Sequence, residues 1–224
     1  MNQDVNKILE NEIKEIITLY NHKNFEEALS LSNKLINREK EVPFLLNLNG
    51  LINLSLEKWQ KAIIVFKKAI DCDNNFVEAF NNLGVAYSHL GKDSKALENY
   101  TKAIELNPEL TVAYNNYGSL LSEDLNRHND AIVKFKKAID IDNKLIPAHL
   151  NLGHSFCKIQ QYEDAIYSYI KVLNIDPSVD YILGNLLSAK MQCSSWDQFQ
   201  NLIDDVKSQI DENKKVIDQF SLFG

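Results

Sequence analysis

The sequence predicts an all-α chain built as a solenoid of stacked helical hairpins, and three observations predict it. Four of the seven glycines recur at an almost constant interval: Gly50, Gly84, Gly118 and Gly153. Alanines keep the same beat at Ala28, Ala62, Ala96, Ala131 and Ala165, with Phe66, Tyr100, Phe135 and Tyr169 one helical turn after the last four. Gly and Pro are scarce, 7 and 4 in 224 residues, too few turn residues for a many-stranded sandwich or barrel. Intervals of 34 residues, with a single 35, are the period of a helical hairpin. Such a unit holds two helices of about 14 residues and two tight turns.

The residue types explain how each hairpin closes. A glycine on the first helix lets the second approach to the close end of the interhelical range, about 8 Å. The aromatic then fills the space left, and a further small residue at Ala69, Ala103 and Ala138, with Val172 in the same slot, makes room for the next hairpin. Ala62, Ile63, Phe66, Ala69 and Ile70 recur at three and four, which is helical periodicity. Pro108 and Pro177 follow second helices, and Gly91 closes a first helix in the left-handed conformation.

Taken in order, residues 1–42 keep Ala28 but carry Ile16 where the glycine belongs, and read as a degenerate N-terminal capping repeat. Four full repeats fill 43–179, as 43–76, 77–110, 111–145 and 146–179. Residues 180–212 form a divergent helical hairpin. Trp196 keeps the register of Phe25, Trp59 and Tyr162, while Leu187 and Phe199 replace the glycine and the alanine. Residues 213–224 are an apolar tail with Val216, Ile217, Phe220, Leu222 and Phe223. The single 35-residue interval predicts a π-bulge near Ser122 to Asp124, with Asn126 in the left-handed position that Gly91 fills one repeat earlier.

Composition excludes several functions. The net charge is −7, and only Arg38 and Arg127 are arginines among 24 basic residues, so polyanions are repelled: neither nucleic acid nor an anionic membrane is expected as a partner. No run reaches the roughly 18 apolar residues of a membrane span, and Met1 to Glu10 show no secretory signal. Cys72, Cys157 and Cys193 lie far apart without a CxxC pair, which points to a reducing, cytoplasmic setting and no structural zinc.

Motifs that carry chemistry are missing: there is no phosphate loop, nucleophile elbow or HExxH helix. Asp71, Asp73 and Asn75 imitate a calcium loop, but Phe76 and Asn82 stand where its glycine and bidentate glutamate belong. His154 and Cys157 are one helical turn apart and lack a third metal ligand. Asn53 and Asn99 begin glycosylation sequons inside helices and are expected to be silent. No catalytic residue, metal or other cofactor is expected in this chain.

Residues 77–110, VEAFNNLGVAYSHLGKDSKALENYTKAIELNPEL, closely resemble a tetratricopeptide repeat. Phe80, Leu83, Gly84, Tyr87, Ala96, Tyr100, Ala103 and Pro108 occupy that family's motif positions. The resemblance implies a right-handed superhelix whose first helices line a concave groove, with positions two, five, six and nine of each repeat facing inward. Position six is Asn in four successive units, Asn82, Asn116, Asn151 and Asn185, with Asn81 and Asn115 beside the first two. An Asn amide offers two donors and an acceptor, so a row of them can pair with the N–H and C=O of an extended peptide. The second repeat departs, with Leu48 at position six and Asn47 beside it. As exposed groups, these asparagines are expected to contribute little to stability. The inward positions are otherwise neutral or acidic apart from Lys14, which argues against a clamp for C-terminal carboxylates; Lys67, Lys68, Lys136 and Lys137 fall on second helices and form an outer face.

The stretch 180–199 resembles the segment that follows the repeats in bacterial O-GlcNAc transferase-like proteins, through Tyr181, Gly184, Leu186, Leu187, Lys190, Met191 and Trp196. Ser194, Ser195 and Gln219 depart from that pattern. The resemblance implies a similar asparagine ladder and a C-terminal glycosyltransferase domain as partner, whose catalytic residues have no counterpart here. The expected function is a protein-interaction module that binds extended peptides, the substrate-recruiting arm of such a transferase. The alternatives are a transferase family member whose catalytic domain is missing or separately encoded, and a self-assembling scaffold.

Overall fold

The structure is a computed structural model and describes residues 2–39 and 41–193. Trp196, Phe199 and the apolar tail lie outside the described residues, as does the second helix expected in 180–212. Among the described residues there are eleven helices and no strand, as the fold-class expectation requires. They are α1 (Asn2–Asn21), α2 (Phe25–Arg38), α3 (Pro43–Ser55), α4 (Trp59–Cys72), α5 (Val77–Ser88), α6 (Asp93–Leu106), α7 (Thr111–Glu123), α8 (His128–Ile141), α9 (Ile146–Lys158), α10 (Tyr162–Ile175) and α11 (Ile182–Gln192). The chain divides into two compact units, residues 1–113 and 114–224, with the division inside α7.

The turn inside each hairpin has one geometry. A residue with positive φ stands just before the second helix's N-cap: Lys23, Glu57, Gly91, Asn126 and Gln160. In four hairpins the N-cap N–H then returns to the carbonyl five residues back: Asn24 to Leu19, Lys58 to Asn53, Lys92 to Tyr87 and Gln161 to Phe156. The remaining hairpin, α7–α8, carries the extra residue. There Arg127 N–H reaches back six residues to Leu121 O at 2.7 Å, and Leu125 N–H bonds Leu120 O at 3.3 Å. The expected π-bulge at Ser122 to Asp124 does not form, because α7 stays α-helical to Glu123. The insertion is taken up in the exposed turn, where no interior hydrogen bond has to be broken, and Asn126 has the left-handed φ of +51° expected of it.

The links between hairpins are equally regular. Each second helix from α4 to α10 ends at an Asp or Asn whose Oδ1 accepts the backbone N–H two residues on, an Asx turn. The pairs are Asp73 with Asn75, Asn107 with Glu109, Asp142 with Lys144 and Asp176 with Ser178, at 2.9–3.0 Å. The apparent calcium-loop start at Asp71 to Asn75 is one of these turns. Pro43 and Pro147 sit in the first turns of α3 and α9, where a missing N–H costs nothing.

Inside the hairpins, the aromatic ring of the second helix lies directly on the glycine of the first. A β-carbon on Gly84 would stand 2.6 Å from Tyr100 Cε1, and on Gly118 or Gly153 it would stand 2.5 Å from the Cε1 of Phe135 or Tyr169. Phe66, Phe135, Tyr100 and Tyr169 are buried, as are the flanking alanines. The cap repeat inverts the pair: Ile16 takes the glycine position and Ser32 the ring position, and both are fully buried. α11 packs on α10, burying Ile182, Leu183, Leu186 and Leu187.

Candidate functional site

The asparagines of the row are built on successive first helices, and within each unit the structure bonds three of them to polar side chains one repeat away. In the first unit, Asn82 Nδ2 on α5 donates to Asn47 Oδ1 on α3 at 3.0 Å. Asn81 Nδ2 donates to Asn82 Oδ1 at 3.1 Å, and Asn81 itself is only 5% exposed. In the second unit, Asn151 Nδ2 on α9 donates to both Asn115 Oδ1 and Ser119 Oγ on α7, each at 3.1 Å. Asn185 Nδ2 on α11 lies 3.4 Å from His154 Nε2 on α9. Asn116 is half-buried on α7 beside Asn115.

Asn82 Nδ2 donates once across the helices, and Asn151 Nδ2 donates twice while, among the described residues, its Oδ1 accepts no bond. The hydrogen bonds fix which atoms remain to face a ligand. Asn47, Ser119 and His154 are thereby members of the row as partners or anchors. Asn47 was visible only as a neighbour of the departing Leu48, which is buried at 6% exposure. Two further asparagines on α3 are structural: Asn49 Nδ2 donates to Ser32 Oγ at 3.0 Å and Asn33 Oδ1 at 2.9 Å, and Asn53 Nδ2 bonds Asn49. Asn53 is 2% exposed, so no glycan can be attached to its amide in the folded chain.

Where the extra residue lengthens the α7–α8 turn, an open cleft of about 360 Å³ forms in the second unit, lined by Ser122, Glu123, Asn126, His128, Phe135, Asn151, His154 and Lys158. Ser122 Oγ lies 3.0 Å from His128 Nδ1 and 3.0 Å from the buried Ser155 Oγ, which fixes the imidazole against the end of α7. The His154 ring meets the Tyr169 ring edge-on at 5.7 Å. Desolvation by the groups packed around the ring, although the residue is exposed overall, and then the Lys158 charge hold His154 below the usual histidine range. Cys157 is turned away, its Sγ 3.7 Å from Tyr169 Oη, and burial pushes its thiol up. The cleft therefore presents two amides, two imidazoles, a hydroxyl, the Glu123 carboxylate and the Lys158 ammonium beside Phe135. Its signal in the sequence was the single 35-residue interval.

The tetratricopeptide-repeat family description matches residues 77–110, 112–145 and 148–180, and a related repeat description matches 50–91. Together these cover more than half of the chain. A curated relative, "Small glutamine-rich tetratricopeptide repeat-containing protein 2" of Mycosarcoma maydis, is 37% identical over 90 residues, and this aligned stretch is 40% of the chain but only a quarter of the relative's length. Among solved structures, a thermophilic tetratricopeptide protein of Thermus thermophilus superposes with a TM-score of 0.71 at 18% identity, covering 82% of this chain and 99% of that one. YrrB, described as a tetratricopeptide protein with an unusual peptide-binding site, superposes with a TM-score of 0.58 at 22% identity over 80% of this chain and 90% of its own. At such identities the likeness is one of fold. Among the described residues, no helix is long and apolar enough to cross a membrane.

Proposed function

Because the chain belongs to the tetratricopeptide-repeat family, we propose that it is a protein-interaction module that receives extended peptide segments on its first-helix face. Within each unit the asparagine amides grip ligand backbone: Asn82 in the first unit, and Asn116, Asn151 and Asn185 in the second. Asn81 and Asn115 act as positioning groups. The observation that carries this reading is the cross-helix pairing of Asn82 with Asn47 and of Asn151 with Asn115 and Ser119. Amides locked in one orientation lose little freedom when a peptide arrives, which favours binding. The peptide-binding site named for YrrB is in keeping with this use of the fold.

The test is a peptide selected on the full chain from a random library, titrated calorimetrically against the parent and against the Asn82→Ala, Asn116→Ala, Asn151→Ala triple variant. Each lost amide pair should weaken binding by about 1 kcal/mol. The affinity should change little with salt, since the contacts are uncharged. A triple variant that binds as tightly as the parent would rule the ladder out.

A finer reading makes the chain the substrate-recruiting arm of an O-GlcNAc transferase-like protein, supported by Tyr181, Gly184, Leu186, Leu187, Lys190 and Met191 at and along α11. A sugar-nucleotide-binding domain encoded in the same or a neighbouring reading frame would support it. Recovery of the protein from cells with no such domain in any complex would count against it.

A further inference from the structure

The opposite side of the second unit carries a second cleft that the peptide-binding reading does not use. It opens between the second helices α8 and α10, is floored by α9, and has a volume of about 380 Å³. Leu152 and Phe156 form the floor, both nearly buried, and Ile139 and the 62% exposed Tyr167 form apolar walls. Two carboxylates, Asp140 from α8 and Asp164 from α10, also line it. Among the described residues neither carboxylate takes part in an ion pair. Of the remaining polar lining, His149 Nε2 lies 3.0 Å from Asn143 O, Ser168 Oγ donates to Asp164 O at 2.9 Å, and Lys136 contributes one ammonium.

The cleft's rings already attract cations. The Lys136 ammonium sits 5.4 Å from the Phe156 ring centre, and the Lys171 ammonium 5.0 Å from that of Tyr167. Apolar walls beside aromatic faces and unpaired carboxylates suit a side chain with an aliphatic stem and a cationic head. A guanidinium fits better than an ammonium, because its plane stacks on a ring while its fork meets a carboxylate. We propose that this outer cleft is a second docking site, and that it takes an arginine side chain presented by a partner protein. Lys136 is an intramolecular stand-in that the arginine displaces from Phe156. A second copy of this chain is a poor source of the arginine, since Arg38 is paired with Glu12 and Arg127 with Asp130.

The probes are N-acetyl-arginine methylamide and its neutral isostere N-acetyl-citrulline methylamide, titrated into the full ¹⁵N-labelled chain. The arginine probe should shift the amides of Phe156, Tyr167 and Ser168, and the citrulline probe should not. The Asp140→Asn, Asp164→Asn double variant, altered at two exposed positions, should bind the arginine probe about fivefold more weakly. Lys136→Gln should bind it about twofold more tightly, by vacating the ring. Equal shifts with citrulline, shifts spread evenly over the acidic surface, or an unchanged affinity in the double variant would each overturn the proposal. None of these readouts depends on the asparagine face.

Discussion

The ring of Tyr100 occupies the space that a β-carbon on Gly84 would need, 2.6 Å from its Cε1. Tyr100 is 2% exposed and has little room to retreat. The period of glycines read in the sequence is therefore a period of ring-on-backbone contacts, repeated at Gly118 with Phe135 and at Gly153 with Tyr169.

Gly84→Ala should lower stability by about 1–2 kcal/mol, the overpacking cost less the helix propensity that alanine gains. The inverted Ile16 and Ser32 pair of the cap suggests the rescue: Gly84→Ile with Tyr100→Ser should cost clearly less than the sum of the two single changes. A double-mutant cycle by denaturant unfolding measures the coupling. Additive costs would show that the two positions do not share one space.

The left-handed turn residues give a test free of packing. Nothing lies within 4 Å of a β-carbon at Gly91, whose φ is +62°, so Gly91→Ala should cost about 1 kcal/mol from backbone conformation alone. Gln160, at φ +61° in the matching position, should behave in the opposite sense. Gln160→Gly should gain about 0.5 kcal/mol, the relief of strain less the added freedom of the unfolded chain. Thermal unfolding of the two variants distinguishes the signs.

The asparagine row was expected to be nearly neutral for stability, and its hydrogen bonds change that expectation. Asn82→Ala leaves the acceptor of Asn47, 6% exposed, without its donor and should cost about 1 kcal/mol. Asn151→Ala removes two bonds to α7 and should cost at least as much. Peptide-binding measurements on these variants therefore need to be made well below their unfolding transitions, which urea titration locates.

A pH effect follows from the last Asx turn. The Ser178 hydroxyl and then the Ser178 backbone N–H bond the Asp176 carboxylate and hold it below the usual range. A carboxylate depressed in the folded state stabilises the fold above its unfolded pKa, and that contribution disappears as the pH falls through the folded value. Ser178→Ala should bring the Asp176 titration, followed by carboxyl NMR, back toward the ordinary aspartate range. An unchanged titration would mean that the hydroxyl is not the main cause.

The hairpin period, the all-helical class and the glycine, alanine and aromatic positions of the core are legible in the chain without coordinates. Those features follow from side-chain size and 3.6-residue periodicity, which act within one or two turns of chain. The sequence also marked Asn126 as a left-handed turn residue, because only a few side chains tolerate that conformation. Tertiary structure decided the rest. The extra residue went into the turn rather than a bulge, since a closed helical ladder costs less to keep than to interrupt. Lys23, Glu57 and Gln160 adopt positive φ with no glycine to announce it, because the turn between packed helices demands it. Asn82 finds Asn47, Asn151 finds Asn115, and Asp140 and Asp164 come to one cleft only when neighbouring hairpins stack. Such pairings depend on distances between helices, and no local pattern in the chain encodes those distances.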